Sequence, residues 1–344
     1  MAHHPPANAF VKFARKVYNP VGFTKGYNFV LFFIFAGAFF GFTLARLHFL
    51  DIDKSFCGSG QALDCYYYTS GSVDRIGFMI HLAAILPAAL LTCLQFVPVI
   101  RHKIILFHRI NGYIILLLSL VSTAGAIMLA RNAVGGWMEV QTGVGFLSLI
   151  FVVSLGLAFY NVKKLQIEQH RAWMLRAWFY AGSIITMRLI LFASTTIIST
   201  HGYYVAMPCS KVQYFFFGSA NATLQQYPEC ASYFSNEDPD KTVAVSATLQ
   251  GYGSNAIAAF SMNFGAAFWL ALAIHAIGVE VYLHLTPAEA DRLRNVSYQR
   301  QLEAGMKNPG RAGLTADRLG DSALWVPQEE RTVVDGGSMG SSTK

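Results

Sequence analysis

Apolar residues in this chain gather into six long runs separated by polar connections: 29–50, 77–100, 110–130, 140–160, 172–198 and 256–285. A hydrocarbon layer about 30 Å thick takes around 20 apolar residues of helix to cross, and all six runs are long enough. The expected fold is therefore all-α, a polytopic membrane helix bundle with six transmembrane helices. This divides the chain into an N-terminal arm (1–28), a six-helix domain (29–285) with two larger loops (51–76 and 199–255), and a polar tail (286–344). The tail ends in VVDGGSMGSSTK and is expected to be disordered. No internal repeat stands out.

Composition supports the membrane reading. Hydrophobic residues make up 54% of the 344 and charged residues only 13%, against about 25% charged in a soluble domain. The net charge is +7, but no basic-aromatic module accompanies it, so nucleic acid is not an expected partner. The basic residues instead set the orientation. Lys12, Arg15, Lys16 and Lys25 lie in the arm, and Arg101, Lys103 and Arg109 between the second and third runs. Lys163, Lys164 and Arg171 lie between the fourth and fifth, and Arg292 and Arg294 in the tail. In a six-helix chain these four regions share one side, expected to be the cytoplasm, which puts both termini there. The start of the chain is polar and basic, so the first helix is expected to act as a retained signal. Either the plasma membrane or an endomembrane fits.

Cysteines test that orientation. Cys57 and Cys65 fall in the first large loop and Cys209 and Cys230 in the last, while Cys93 alone is inside a helix. Two pairs confined to non-cytoplasmic loops read as two disulfides in an oxidising compartment. One bridge within each loop is the simplest pairing, and bridges between loops are the alternative. The sequon at Asn221 lies on the same expected outer face and is a candidate glycan site. The sequon at Asn295 lies on the other side and should be unused.

Polar residues within the apolar runs carry the candidate chemistry. The stretch EQHRAWMLRAW, 168–178, opens the fifth run. Arg171 and Arg176 can snorkel to head groups, and Trp173 and Trp178 can form an aromatic belt. Arg188 is different. It lies about 18 Å beyond Arg176 along a helix, where a charge costs at least about 2.5–3.5 kcal/mol. It should face the protein interior and be partnered, either in a site or in a structural ion pair such as one with Glu139. His170 and Arg188 are five helical turns apart and share a face. His81 and His275 lie inside the second and sixth runs. With His108 and His170 they are candidate haem or metal ligands.

Two helix starts carry a resemblance. His108-Arg109-Ile110-Asn111-Gly112-Tyr113 and His170-Arg171-Ala172-Trp173-Met174-Leu175-Arg176, with Arg188 deeper, resemble a family of predicted multi-pass membrane proteins of unknown function. That family pairs an HR-x-x-G start with an HR-x-W-M-x-R start over roughly residues 75–200 here. The first start departs from the pattern, because Tyr113 follows its glycine immediately and so sits on another face. The resemblance implies an architecture and a grouping of residues, and no reaction.

Three classes of function are compatible with these residues. One is a haem b electron-transfer protein with a redox partner. A more distant similarity to di-haem transmembrane cytochromes b supports it, with His108 and His170 as one ligand pair and His81 with His48 or His201 as the other. The second is a membrane-embedded enzyme or binding protein in which His108, Arg109, His170, Arg171 and Arg176 converge on a small anionic or lipid-derived ligand, arginine forks holding the anion. The third is a transporter with Arg188 and Asn263 along its path, although no inverted repeat supports it. In all three the lipid bilayer is a partner.

Overall fold

The computed structural model describes residues 8–58, 65–69 and 71–327. Six helices are long and apolar enough to cross a membrane: α2 (Gly26–Leu44), α3 (Val73–Gln95), α5 (Ile105–Leu129), α6 (Met138–Lys163), α7 (Ile167–Ile198) and α11 (Gly253–His284). The protein is an all-α integral membrane protein. Shorter helices are α1 (Ala9–Tyr18), α4 (Pro98–Lys103), α8 (Cys209–Phe215), α9 (Ala220–Gln226), α10 (Ala231–Phe234) and α12 (Pro287–Glu303). Apart from the early ends of α2 at Leu44 and of α3 at Gln95, after which residues 98–100 belong to α4, each expected run falls mostly within its helix. Helix starts come earlier than apolar content alone indicates, and at α3 a cap accounts for it. Ser72 accepts a hydrogen bond from Arg75 N–H, and Asp74 sits in the first turn, so α3 begins at Val73 and not at residue 77.

The chain forms two compact units, Met1–Phe146 with Ile184–Ala271, and Leu147–Ser183 with Leu272–Lys344. In the first, α3 and α5 pack where neither has a side chain. A Cβ on Gly125 would stand 2.6 Å from the Gly77 carbonyl oxygen and from the His81 amide, so only glycine permits this approach. Polar side chains then clamp the pair: Asn111 Nδ2 donates to Leu91 O (3.1 Å) and Gln95 Nε2 to His108 O (2.8 Å). The facing parts of α6 and α11 repeat the device. Gly143 lies against the Phe268 ring and Gly265 against the Glu139 side chain, while Trp269 Nε1 donates to Glu139 O at 3.0 Å.

The connection expected as the outer loop 199–255 is a folded cap with the only two strands among the described residues. β1 (Tyr204–Pro208) and β2 (Thr242–Ser246) pair antiparallel, Tyr204 opposite Ser246 and Pro208 opposite Thr242. Their alternation turns Val205, Met207, Val243 and Val245 inward onto Val212, Phe215 and Tyr227, and onto Ile257, Ala258 and Ala259 of α11. A disulfide joins Cys209 and Cys230, and a second joins Cys57 and Cys65, one within each loop. The first loop docks on the cap. Tyr66 OH bonds Ser210 Oγ (2.9 Å), and the buried Lys211 ammonium lies 4.8 Å from the centre of the Tyr67 ring. Asp53 forms a bidentate pair with Arg75, whose hydrogen bonds hold the carboxyl below the usual carboxylate range.

The tail corrects its expectation. In the second unit, residues 287–303 form α12, and the segment after it, up to residue 327, is an ordered strap. The polar run looks like a disordered segment because its partners are side-chain amides far away in the chain. Gln166, Gln301 and Asn161 are fully buried. Gln301 Nε2 donates to Lys164 O (2.9 Å) and Gln166 Oε1 (2.8 Å), and its Oε1 accepts from Gly310 N–H (2.7 Å). Gly313 N–H donates to Gln166 Oε1 (3.1 Å) and Leu314 N–H to Asn161 Oδ1 (2.9 Å). Further along, Arg294 Nη2 donates to Asp317 at 2.6 Å. Burial of Asp317 opposes its ionisation, but hydrogen bonds from Arg294 and the Trp325 amide help to hold its carboxyl below the usual range. The VVDGGSMGSSTK end lies outside the described residues.

Candidate functional site

EQHRAWMLRAW begins α7, in the second unit, and six of its eleven side chains make specific contacts. Glu168 is buried, accepting from Gln166 Nε2 (2.5 Å) and Ser297 Oγ (2.7 Å), so it belongs to the strap's anchorage. His170 Nδ1 bonds Ala158 O of α6 at 3.0 Å. Trp178 is not part of a belt. It is buried edge-on against Phe151, ring centres 5.7 Å apart.

The two arginines meet α11. Arg176 makes a fork to Glu280, Nε to Oε1 at 2.6 Å and Nη2 to Oε2 at 2.9 Å, and its guanidinium stacks 4.6 Å from the Trp173 ring centre. Arg171 Nη2 donates to Tyr282 OH (3.0 Å) and lies 5.6 Å from that ring's centre. Glu280 and His284, one turn apart, line a shallow hollow of about 420 Å³ with Val281 and Leu285. Ile277, Val281 and Leu285 are exposed beside it. His275, one turn and a half before Glu280, is buried and bonds Phe179 O of α7 at 2.7 Å through Nδ1. Glu280 and Tyr282 were missed as site residues. The signal was available: Glu280 is the only acid in the apolar run 256–285, and a lone intramembrane acid requires a cationic or hydrogen-bonding partner.

In the first unit, His81 Nδ1 lies 2.9 Å from Ser122 Oγ and 3.0 Å from Ser122 O, a bond between α3 and α5 that the Gly77–Gly125 approach permits. His48 and His201, its expected ligand companions, are exposed. His201 bonds Ile197 O (2.8 Å) and Thr200 Oγ1 (2.9 Å) at the end of α7. His108 and Arg109 are the fourth and fifth residues of α5, where Gln95 holds the His108 carbonyl. Arg188 places its guanidinium 5.4 Å from the centre of the Phe264 ring, a cation–π contact. Asn221 is exposed on α9, while the threonine of its sequon, Thr223, is buried and bonds Ser219 O at 2.8 Å. Of the six residues grouped from the sequence, His108, Arg109 and Arg188 thus belong to the first unit, and His170, Arg171 and Arg176 to the second.

Comparison with known proteins adds a family likeness and no reaction. No solved structure matches the chain. A relative from Aspergillus versicolor, "Ava biosynthesis cluster protein G", is 26% identical over 334 residues, covering 84% of this chain and 97% of the relative. Residues 78–212 match the family described as "Predicted membrane protein (DUF2306)", a stretch close to the 75–200 over which the two helix starts carry their resemblance, so this part of the chain is similar to membrane proteins of unknown function.

Proposed function

We propose that this protein binds an amphipathic, anionic small molecule or lipid derivative at the α7–α11 face of its second unit. One observation carries the reading: two guanidinium groups are held in place from α11, Arg176 by Glu280 and Arg171 by Tyr282, next to exposed apolar side chains. A guanidinium has five N–H donors. Arg176 spends two on Glu280 and Arg171 one on Tyr282, so the remainder can hold a carboxylate or phosphate with no loss of the existing bonds. Fixing the side chains beforehand lowers the entropy cost of binding. Val281 and Leu285 supply the apolar wall for the rest of the ligand, and His284 a proton-transferring imidazole at its edge. A relative named for a biosynthesis cluster is in keeping with a protein that holds a small molecule. In this reading both termini lie in the cytoplasm, where the arginine cluster meets cytoplasmic ligands, and Asn221 lies on the opposite side.

The haem reading rests on a different observation. His170 and His275 each turn Nδ1 to a main-chain carbonyl, as His81 does to Ser122, and such a bond orients the other ring nitrogen of a ligating histidine. The same bonds lock helix pairs without any cofactor, so they favour the haem reading less than the arginine geometry favours an anion.

One purified sample tests both. Thermal unfolding of the full chain in a neutral detergent is followed with oleate or lysophosphatidate added, for wild type and for an Arg171→Lys, Arg176→Lys double variant. The expected result is a rise in Tm for wild type that the double variant loses, because lysine keeps the charge but not the fork. Equal shifts in the two proteins remove the anion site. A Soret band that moves on reduction in the same sample replaces it with haem.

A further inference from the structure

Outside that site, the feature that calls for a partner is α1. Its residues divide sharply by face. Phe10, Phe13 and Val17, at helical spacings of three and four, are 75%, 66% and 48% exposed. Lys12, Arg15 and Lys16 occupy the opposite arc, and the helix contains no acid. A soluble helix would bury such an apolar face, and this one presents it outward beside three cations. That combination belongs to helices that lie in the interface of a bilayer, with apolar side chains among the acyl chains and cations at the head groups.

Contacts within the unit fix α1 beside the start of α2. Asn8 caps its first turn, its Oδ1 accepting from Val11 N–H at 2.9 Å. At the other end Tyr18 is buried against α2, its ring centre 6.0 Å from that of Phe29. Val99 N–H of α4 donates to Val21 O at 3.1 Å, and a Cβ on Gly22 would lie 2.8 Å from Val99 N, so the link from α1 to α2 is seated on α4. Only seven residues separate α1 from the membrane-length helix α2. The same end of the unit carries exposed Lys103 and a run of exposed apolar residues, Ile104 to Phe107, at the α4–α5 corner. Lys25 lies over the Tyr27 ring at the start of α2, a pairing suited to the head-group layer.

We infer that α1 is an interfacial helix that docks on the bilayer and recognises anionic lipid head groups through Lys12, Arg15 and Lys16. The reading is independent of the α7–α11 ligand site. Three cations near an anionic surface strengthen surface binding by on the order of a hundredfold at low salt.

The test uses the full chain in nanodiscs of phosphatidylcholine alone or with about a third phosphatidylserine, a content that gives the surface its negative potential. Amide hydrogen exchange is followed over residues 9–18. Phosphatidylserine should slow exchange on the order of tenfold or more, and salt at about 1 M should cancel the difference, since the screening length is then about 3 Å. A Lys12→Gln, Arg15→Gln, Lys16→Gln variant should lose the lipid dependence, and a Phe10→Ser, Phe13→Ser variant should lose protection in both lipids. Equal exchange in the two lipids overturns the inference, as does protection unchanged in the triple variant. Protection that follows protein concentration and ignores lipid assigns the face to a second copy, and overturns it too. Neither variant touches Arg171 or Arg176, so its oleate response should stay as in wild type.

Discussion

The cap between α7 and α11 and the strap after α12 are both long polar connections, and they are ordered by opposite means. The cap has an apolar interior, alternating strands and a covalent tie between Cys209 and Cys230. The strap has almost no apolar core of its own. Its main-chain N–H groups at Gly310, Gly313 and Leu314 are read by the buried side chains of Gln301, Gln166 and Asn161. An apolar core is tolerant in detail, because any well-packed set of hydrophobic side chains of about the right volume serves. A buried amide network is not tolerant: every unsatisfied group left behind carries its full desolvation cost. Glycine enters for the same reason. A Cβ on Gly313 would stand 2.5 Å from Asn161 Oδ1, so the strap can lie against its amides only where it has no side chain.

The difference can be broken first at its covalent end. Cys209→Ser opens a bridge spanning 21 residues of sequence, for which the chain-entropy model expects a loss of about 3 kcal/mol. Thermal unfolding of the purified protein should show a clear drop in Tm, and reductant should bring wild type towards the variant. A Tm unchanged by both treatments would mean the apolar interior alone suffices. The polar end should respond next. Gln301→Leu keeps the size of the side chain but strands the groups it serves, at a cost of about 1–3 kcal/mol. Here the sharper measurement is local: limited proteolysis within 304–327 should accelerate, while the cap keeps its wild-type cleavage rate. Uniform cleavage of both regions would show that the two do not open separately.

The smallest effect is a pH dependence confined to the strap. Asp317 has a folded-state pKa below its unfolded value, which is about 3.9: its burial opposes ionisation, and hydrogen bonds from Arg294 and the Trp325 amide favour it. Its contribution is therefore complete above the unfolded pKa and is lost as the pH falls through the depressed folded value. Exchange protection of the strap should hold down to about pH 4 and decline below it. Asp317→Asn should remove that acid step, and a variant that keeps it would place the titration elsewhere.

Much of this molecule follows from properties read along the chain one residue at a time. The six membrane-length helices are legible because crossing a hydrocarbon layer demands an uninterrupted apolar length. The two disulfides follow from cysteines grouped by loop, and Cys57–Cys65 and Cys209–Cys230 take the nearest partners. Charge near the start of α7 was also legible, but its use was not. Glu168 serves the strap, Trp178 the interior, and Arg176 pairs with Glu280, 104 residues away. The ordered strap was invisible for the same reason: residues 310–314 are glycine-rich in sequence, and the side-chain amides that accept from Gly310, Gly313 and Leu314 N–H lie 9 to 153 residues earlier. Apolar length and loop membership are local quantities that one dimension records. Which donor finds which acceptor is decided when distant segments are brought within 3 Å, and only the tertiary structure does that.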